Sequence, residues 1–277
     1  MNINRADNIK TVLISGAAGG LGRALVKIFT EKGYHVLAAD IKEINLTGFE
    51  MQNKLIPVTL DVTRPDQIAK LAKDQRLETD GLDILVSAAG IYDTYPLTEA
   101  DPEQFKRMMD VNLHGTVNLV RGLLGALMKR NGRVVVVSSE SYRIMAMFQP
   151  YMVTKASLEA YCRAARQELA LKGIKMTVIR PGAINTPLLD WMHSPGKQEQ
   201  YPVYSLELAK SWKRSVNMVG KIAPPGLVAE KIFKAATARR PKRIYRINNS
   251  KLLYLVALLP ACLFDYILIR LFRQRMM

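Results

Sequence analysis

Tyr151 and Lys155 stand four residues apart in the segment Tyr-Met-Val-Thr-Lys, so on a helix the phenol and the ammonium share one face. A free tyrosine titrates near pH ~10, and a neighbouring ammonium favours its phenolate and draws that value toward working pH. Such a phenol can exchange a proton with an alcohol. The same spacing also arises by chance on ordinary helix faces, so its meaning depends on what surrounds it. Upstream, Ser15-Gly16-Ala17-Ala18-Gly19-Gly20-Leu21-Gly22 ends a β-type run and opens a helical pattern. Glycines there permit a tight turn and close backbone approach, and the free amides of a helix start favour a pyrophosphate. Asp40 ends the next apolar run, where a carboxylate accepts hydrogen bonds from both ribose hydroxyls of NAD and repels the 2′-phosphate of NADP. Lys42 offsets that repulsion if it points inward, so NAD(H) is favoured and NADP(H) stays open.

Groups so far apart in sequence need a scaffold that gathers them. From residue 11 to about 180, short β-branched runs at 11–15, 35–39, 56–60, 82–87, 133–138 and 175–180 alternate with helical patterns at 21–32, 65–77, 102–127 and 151–171. The runs are apolar on both faces, as in a parallel sheet covered by helices. A helix at 226–238 and a strand at 243–247 follow. The fold class is therefore α/β: one doubly wound, mostly parallel sheet of about seven strands with helices on both faces. Residues 187–225 break the alternation and contain Trp191, Met192, Tyr201, Tyr204, Trp212 and Met218; so long a stretch reads as a partly helical substrate lid.

Composition closes several alternatives. With 49% apolar and 23% charged residues the 277-residue chain buries a large core, and only two cysteines exclude a disulfide-stapled class. Cys162, Cys262, His35, His114 and His193 have no metal-ligand spacing, so no metal is expected. The polar N-terminus suggests neither a signal peptide nor an anchor. Charge is lopsided: residues 197–277 carry 16 Lys/Arg against 4 Asp/Glu. Within them, residues 252–269 are apolar but broken by Pro260 and Asp265, and read as two short segments. Residues 261–275 place Phe264, Ile267, Leu268, Leu271 and Phe272 on one helical stripe opposite Arg270, Arg273 and Gln274. That basic-edged helix suits a membrane surface or a docking groove on protein, the former favoured; no nucleic-acid motif accompanies it.

Taken together, the motifs resemble those of the compact, single-domain short-chain dehydrogenase/reductases over about residues 9–247. Ser15-Gly16 through Gly20-Leu21-Gly22 is similar to the family's cofactor loop, Asp61-Val62 to its adenine-contacting pair, and Asn112 to its central-helix asparagine. Tyr151 with Lys155 is similar to its catalytic couple, and Pro181-Gly182 with Thr186 to its nicotinamide-carboxamide segment. The resemblance implies a Rossmann catalytic domain over residues 1–250 with an extension at 251–277. It implies Tyr151 as acid/base, Lys155 on the nicotinamide ribose, Asn112 positioning a relay water, and a serine upstream that orients the substrate oxygen. Ser139 is chosen for that serine, with Ser138 and Ser141 as weaker candidates. It also implies a homodimer or homotetramer. One departure stands out: the family commonly has Asn-Asn-Ala-Gly where this chain has Ser87-Ala88-Ala89-Gly90, with Ala89 and Gly90 still allowing cofactor approach.

Met145, Met147 and Phe148 before Tyr151, and Leu188, Leu189, Trp191 and Met192 after Thr186, suggest a greasy pocket, although such residues also pack lids and subunit contacts. The tail is similar to that of retinol and 17β-hydroxysteroid dehydrogenases, implying a steroid, retinoid or other lipid alcohol. The reading is thus a cytoplasmic NAD(H)-dependent oxidoreductase for a hydrophobic substrate, with peripheral membrane contact through its last helix. Two rivals remain: a 3-oxoacyl reductase using NADPH, and a non-catalytic NAD-binding protein at a membrane surface.

Overall fold

The computed structural model describes residues 9–44, 54–193 and 198–273. Its strands are β1 (Thr11–Ser15), β2 (His35–Asp40), β3 (Leu55–Thr59), β4 (Ile84–Ser87), β5 (Arg133–Val137), β6 (Lys175–Pro181) and β7 (Ile244–Ile247). All pair in parallel, in the order β3-β2-β1-β4-β5-β6-β7. The helices before β6 are α1 (Gly20–Glu31), α2 (Pro65–Ala72), α3 (Gln75–Thr79), α4 (Pro102–Met109), α5 (Gly115–Gly122), α6 (Leu124–Arg130) and α7 (Pro150–Ala170). After it come α8 (Ser205–Met218), α9 (Pro225–Thr237), α10 (Lys251–Val256) and α11 (Ala261–Arg273).

Alternation along each strand sorts side chains into two cores. Leu13, Leu37, Leu85, Val134 and Val136 bury against Ile68, Leu119, Leu127, Leu158 and Leu169 from one helical layer. Their neighbours Val12, Ile14, Val36, Ala38, Val86 and Val135 bury against Leu25, Phe29, Val228 and Ile232 of α1 and α9. Both faces are covered, which explains the near-continuous apolar runs. Sheet order reverses between β1 and β4, and a crevice opens beyond the carboxyl ends of the strands at that point.

Two helical expectations are corrected. The span 102–127 is not one helix: after Met109 it widens into a π turn, Asp110–His114, and it breaks again at Leu123. The π turn accompanies the inward placement of Asn112, which is buried. The span 65–77 divides at Lys73-Asp74, where Asp74 caps α3 by accepting from the Arg76 amide.

Residues 187–225 contain short 3₁₀ turns at Pro187–Met192 and Gln198–Gln200, and then α8. A bridge between Ile184 and Ala223 ties the ends of the segment together. Beneath it lies an aromatic cluster of Tyr95, Met108, Tyr151, Tyr201 and Leu208. The tail forms α10 and α11 on either side of Pro260. On α11 the predicted stripe divides: Phe272 is buried, Phe264 and Leu268 are half-buried, and Ile267 and Leu271 are exposed. Gln274, residue 275 and the side chain of Arg273 lie outside the described residues. Among the described residues no helix is long and apolar enough to cross a membrane.

Candidate active site

The crevice is a cleft of about 1180 Å³ floored by strand ends. At one end β1 turns into α1. Gly16 adopts φ +72°, and a Cβ there would sit 2.8 Å from the Ala89 backbone. A Cβ on Gly22 would meet the Gly16 carbonyl oxygen at 2.0 Å, so the loop folds only as glycine. Ser15 lies behind it, its Oγ accepting from the amides of Ala88 (3.1 Å) and Ala89 (3.3 Å). Gly20, Leu21, Gly22, Ala89 and Gly90 line the cleft.

Asp40 ends β2, with Oδ2 accepting from the Ala18 amide and Oδ1 from the Lys42 amide, both at 2.9 Å. Its carboxylate thus sits against the glycine loop. Asp61 and Val62 line the same end; Asp61 Oδ1 accepts from the Thr63 amide and hydroxyl, and the Val62 carbonyl accepts from Asn118. Pro181, Gly182 and Thr186 form the opposite wall. A cradle that only glycine can form, a helix start and a carboxylate at the second strand fit a dinucleotide.

Tyr151 and Lys155 occupy the first turns of α7, both buried and both lining the cleft. The Lys155 Nζ donates to the Val137 carbonyl at 3.2 Å and lies 5.5 Å from the centre of the Tyr151 ring. Burial lowers Lys155 to about 8, opposed by Cys162 and Glu159. Burial also raises the Tyr151 phenol, and its hydrogen bond with Ser139 works the other way. The ammonium is not among the groups that shift the phenol, so in this structure desolvation outweighs the expected pull.

Of the three candidate serines, Ser139 is the one close enough to act on the Tyr151 phenol, and its Oγ lies 2.9 Å from that of Ser141. Ser138 is buried, and its Oγ has no hydrogen-bond partner among the described residues. Asn112 stands behind the cleft: Oδ1 accepts from the Ile91 amide at 2.8 Å, and Nδ2 donates to the Ile91 carbonyl (2.9 Å) and Thr154 Oγ1 (3.0 Å). Both amide donors are spent, so its side chain locks α7 to the strand-β4 turn.

The cleft also has apolar walls, from Ile144, Ala146, Met152, Leu188, Met218 and Leu253, among which Gln149, Asp190 and Ser215 are polar. Of the pocket residues expected from sequence, Leu188 and Leu189 are there, while Met145, Met147, Phe148 and Met192 do not line it. Met145 faces solvent. Phe148 takes φ +62° and packs its ring on Tyr204 (5.5 Å) and Phe272 (6.4 Å). The Trp191 side chain lies outside the described residues. Sequence reasoning missed Tyr92, whose hydroxyl donates to Gln149 Oε1 at 2.9 Å and whose ring stacks 5.0 Å from Tyr151. It also missed Met218 and Leu253, which reach the cleft from α8 and α10.

The family model for short chain dehydrogenases matches residues 10–194. The chain belongs to the short-chain dehydrogenase family. Members interconvert CH–OH and carbonyl groups with a nicotinamide dinucleotide, and the gathered tyrosine, lysine and serine are the groups such chemistry uses. Among relatives, rat estradiol 17-beta-dehydrogenase 2 is 28% identical over 97% of this chain and 76% of its own. Human retinol dehydrogenase 5 is 29% identical over 93% and 87%. An NADPH-dependent 3-dehydrocapnine reductase of Ornithobacterium rhinotracheale is 27% identical over 90% and 92%. A solved short-chain dehydrogenase of Streptomyces avermitilis superposes with a TM-score of 0.75 at 22% identity, covering 96% of each chain.

For a short-chain dehydrogenase, the turn Ser87-Ala88-Ala89-Gly90 is the unusual part. Hydroxyl groups brace it. Ser87 Oγ lies 2.8 Å from Thr116 Oγ1, joining β4 to α5, and Ser15 holds the amides of Ala88 and Ala89.

Proposed function

We propose that this short-chain dehydrogenase uses NAD(H) to interconvert an alcohol and a carbonyl on a hydrophobic substrate, a hydroxysteroid or retinoid. The observation that carries this reading is one cleft with Asp40 at one end, Ser139, Tyr151 and Lys155 at its middle, and apolar walls from lid and tail at the other. Two of the relatives named above act, by their names, on estradiol and retinol.

When bound, the dinucleotide supplies the hydride acceptor or donor. Asp40 would hold the adenosine ribose, and the loop Gly16–Gly22 the pyrophosphate. Lys155 would hold the nicotinamide ribose. Ser139 hydrogen-bonds the reacting oxygen and orients it toward the Tyr151 hydroxyl. Tyr151 gives its proton to a carbonyl being reduced or takes one from an alcohol being oxidised. Since the Asn112 amide is committed, water positioning falls to main-chain groups of its π turn. Exposed Leu255, Leu258, Leu259, Leu263 and Ile267 on the tail would rest on a bilayer surface, where such substrates dissolve.

A second reading, reduction of an acyl-chain ketone with NADPH, is favoured by the NADPH-dependent 3-dehydrocapnine reductase among the relatives and by Lys42 beside Asp40. Cofactor absorbance with steroids, retinol and long-chain ketones, each with NAD and NADP, separates the two. The primary reading expects steroid or retinol turnover with NAD, and Asp40→Ala moving the NAD/NADP preference about tenfold toward NADP through loss of a ribose hydrogen bond of about 1.5 kcal/mol. Turnover confined to acyl ketones, or an unchanged preference, overturns it.

A further inference from the structure

Behind the active cleft lies a second cavity of about 400 Å³, between the turn after β5, the end of β7 and α10. Glu140 and Leu253 wall both cavities. Four cations line the second: Arg143, Arg180, Arg246 and Lys251. Arg180 is committed, bonded through two nitrogens to Glu159 at 2.8 Å each and stacked 4.0 Å over Tyr142. Arg143, Arg246 and Lys251 have no carboxylate within ion-pair distance among the described residues. Arg246 lies 4.6 Å over the Tyr254 ring, which fixes its stem while leaving its fork open. The one acid of the lining, Glu140, is turned to the tail, with Oε2 accepting from the Ser250 amide at 2.7 Å.

The same lining carries exposed apolar side chains, Tyr254 at 45% and Leu255 at 61% exposure, with Leu258 just beyond at 54%. Exposed cations with no carboxylate partner among the described residues, set beside protruding apolar groups, match an amphiphile whose charged head is an anion. We infer that this cavity is a headgroup site for an anionic phospholipid, its phosphate held by Arg143, Arg246 and Lys251 while Tyr254 and Leu255 enter the acyl region. The inference rests on the membrane-surface reading and narrows it: the tail does not merely adhere to lipid but selects the charge of the lipid above one cavity. Phosphate is the shared chemistry, and the adjoining apolar groups assign its source to a lipid rather than to a soluble anion.

The test is flotation of the full chain with vesicles of phosphatidylcholine alone or mixed with phosphatidylglycerol. One variant carries Arg143→Gln, Arg246→Gln and Lys251→Gln; a second, of equal net charge, carries Lys73→Gln, Lys172→Gln and Lys231→Gln on other faces. With roughly 1 kcal/mol for each cation near the surface, the cavity variant is expected to lose about 100-fold in partition onto phosphatidylglycerol vesicles, and the charge-matched variant less than about fivefold. Circular dichroism and NAD binding verify that both remain folded. Equal losses in the two variants overturn the site, as does full competition by inorganic phosphate or binding indifferent to lipid charge. In the last case the membrane reading survives; no flotation of the unmodified chain with either vesicle removes both.

Discussion

Burial sets the direction in which the Tyr151–Lys155 pair works. Desolvation holds the phenol protonated and brings Lys155 down to about 8, so of the two groups the ammonium loses its proton first. With Lys155 neutral the phenolate loses its neighbouring cation, so the base form of Tyr151 that accepts a proton from an alcohol is harder to reach. Alcohol oxidation should therefore fall as pH rises through about 8, while carbonyl reduction, which uses the phenolic proton, holds over the same range. Profiles of kcat/KM in both directions check this, and two profiles that move together contradict it. Tyr151→Phe should lower turnover by about 10²–10⁴-fold and leave NAD affinity unchanged. The identities of these residues were legible in the sequence because their spacing is local. Their proton balance was not, because it depends on how far the lid and the aromatic cluster exclude water.

The element that carries the pair is itself fixed by a buried ion pair. Glu159, one turn beyond Lys155 on α7, meets Arg180 at the end of β6 with both side chains about nine-tenths buried. Arg180 precedes Pro181 and Gly182, so the pair sets the spacing between the proton-transfer helix and the opposite wall of the cleft. Arg180→Met should destabilise by about 3–5 kcal/mol by leaving the Glu159 charge buried alone, and adding Glu159→Leu should restore most of it. Urea unfolding measures both; a single variant costing under about 1 kcal/mol sinks the argument. Strands and their two-faced burial were readable from sequence, since β-branched runs such as Arg133–Val137 encode them directly. The π turn at Asn112, the break at Leu123 and the inversion of Phe148 were not. The first and last involve partners distant in sequence: Ile91 and Thr154 on Asn112, and Tyr204 and Phe272 on Phe148.

Across the whole molecule, the basic C-terminal third is joined mechanically to the cleft. Phe272 near the end of α11 is buried, with the Arg214 guanidinium 4.4 Å over its ring, and Arg214 also donates to the Leu271 carbonyl at 2.9 Å. Arg214 belongs to α8, whose next turn supplies Ser215 and Met218 to the cleft. The tail thus clamps the lid from outside, while Leu253 of α10 forms part of the pocket from within. Neither link was visible in a pattern of apolar stripes, because a stripe shows that a face is covered without showing by what. Phe272→Ala should loosen α8 and raise KM for a hydrophobic substrate about tenfold, the loss of roughly 1.4 kcal/mol of ring contact, with NAD affinity unaltered. Leu271→Ala is the matched control: that side chain is 44% exposed and its carbonyl is retained, so KM should hold while vesicle binding weakens. Equal KM for the two variants and the parent would detach the tail from the lid.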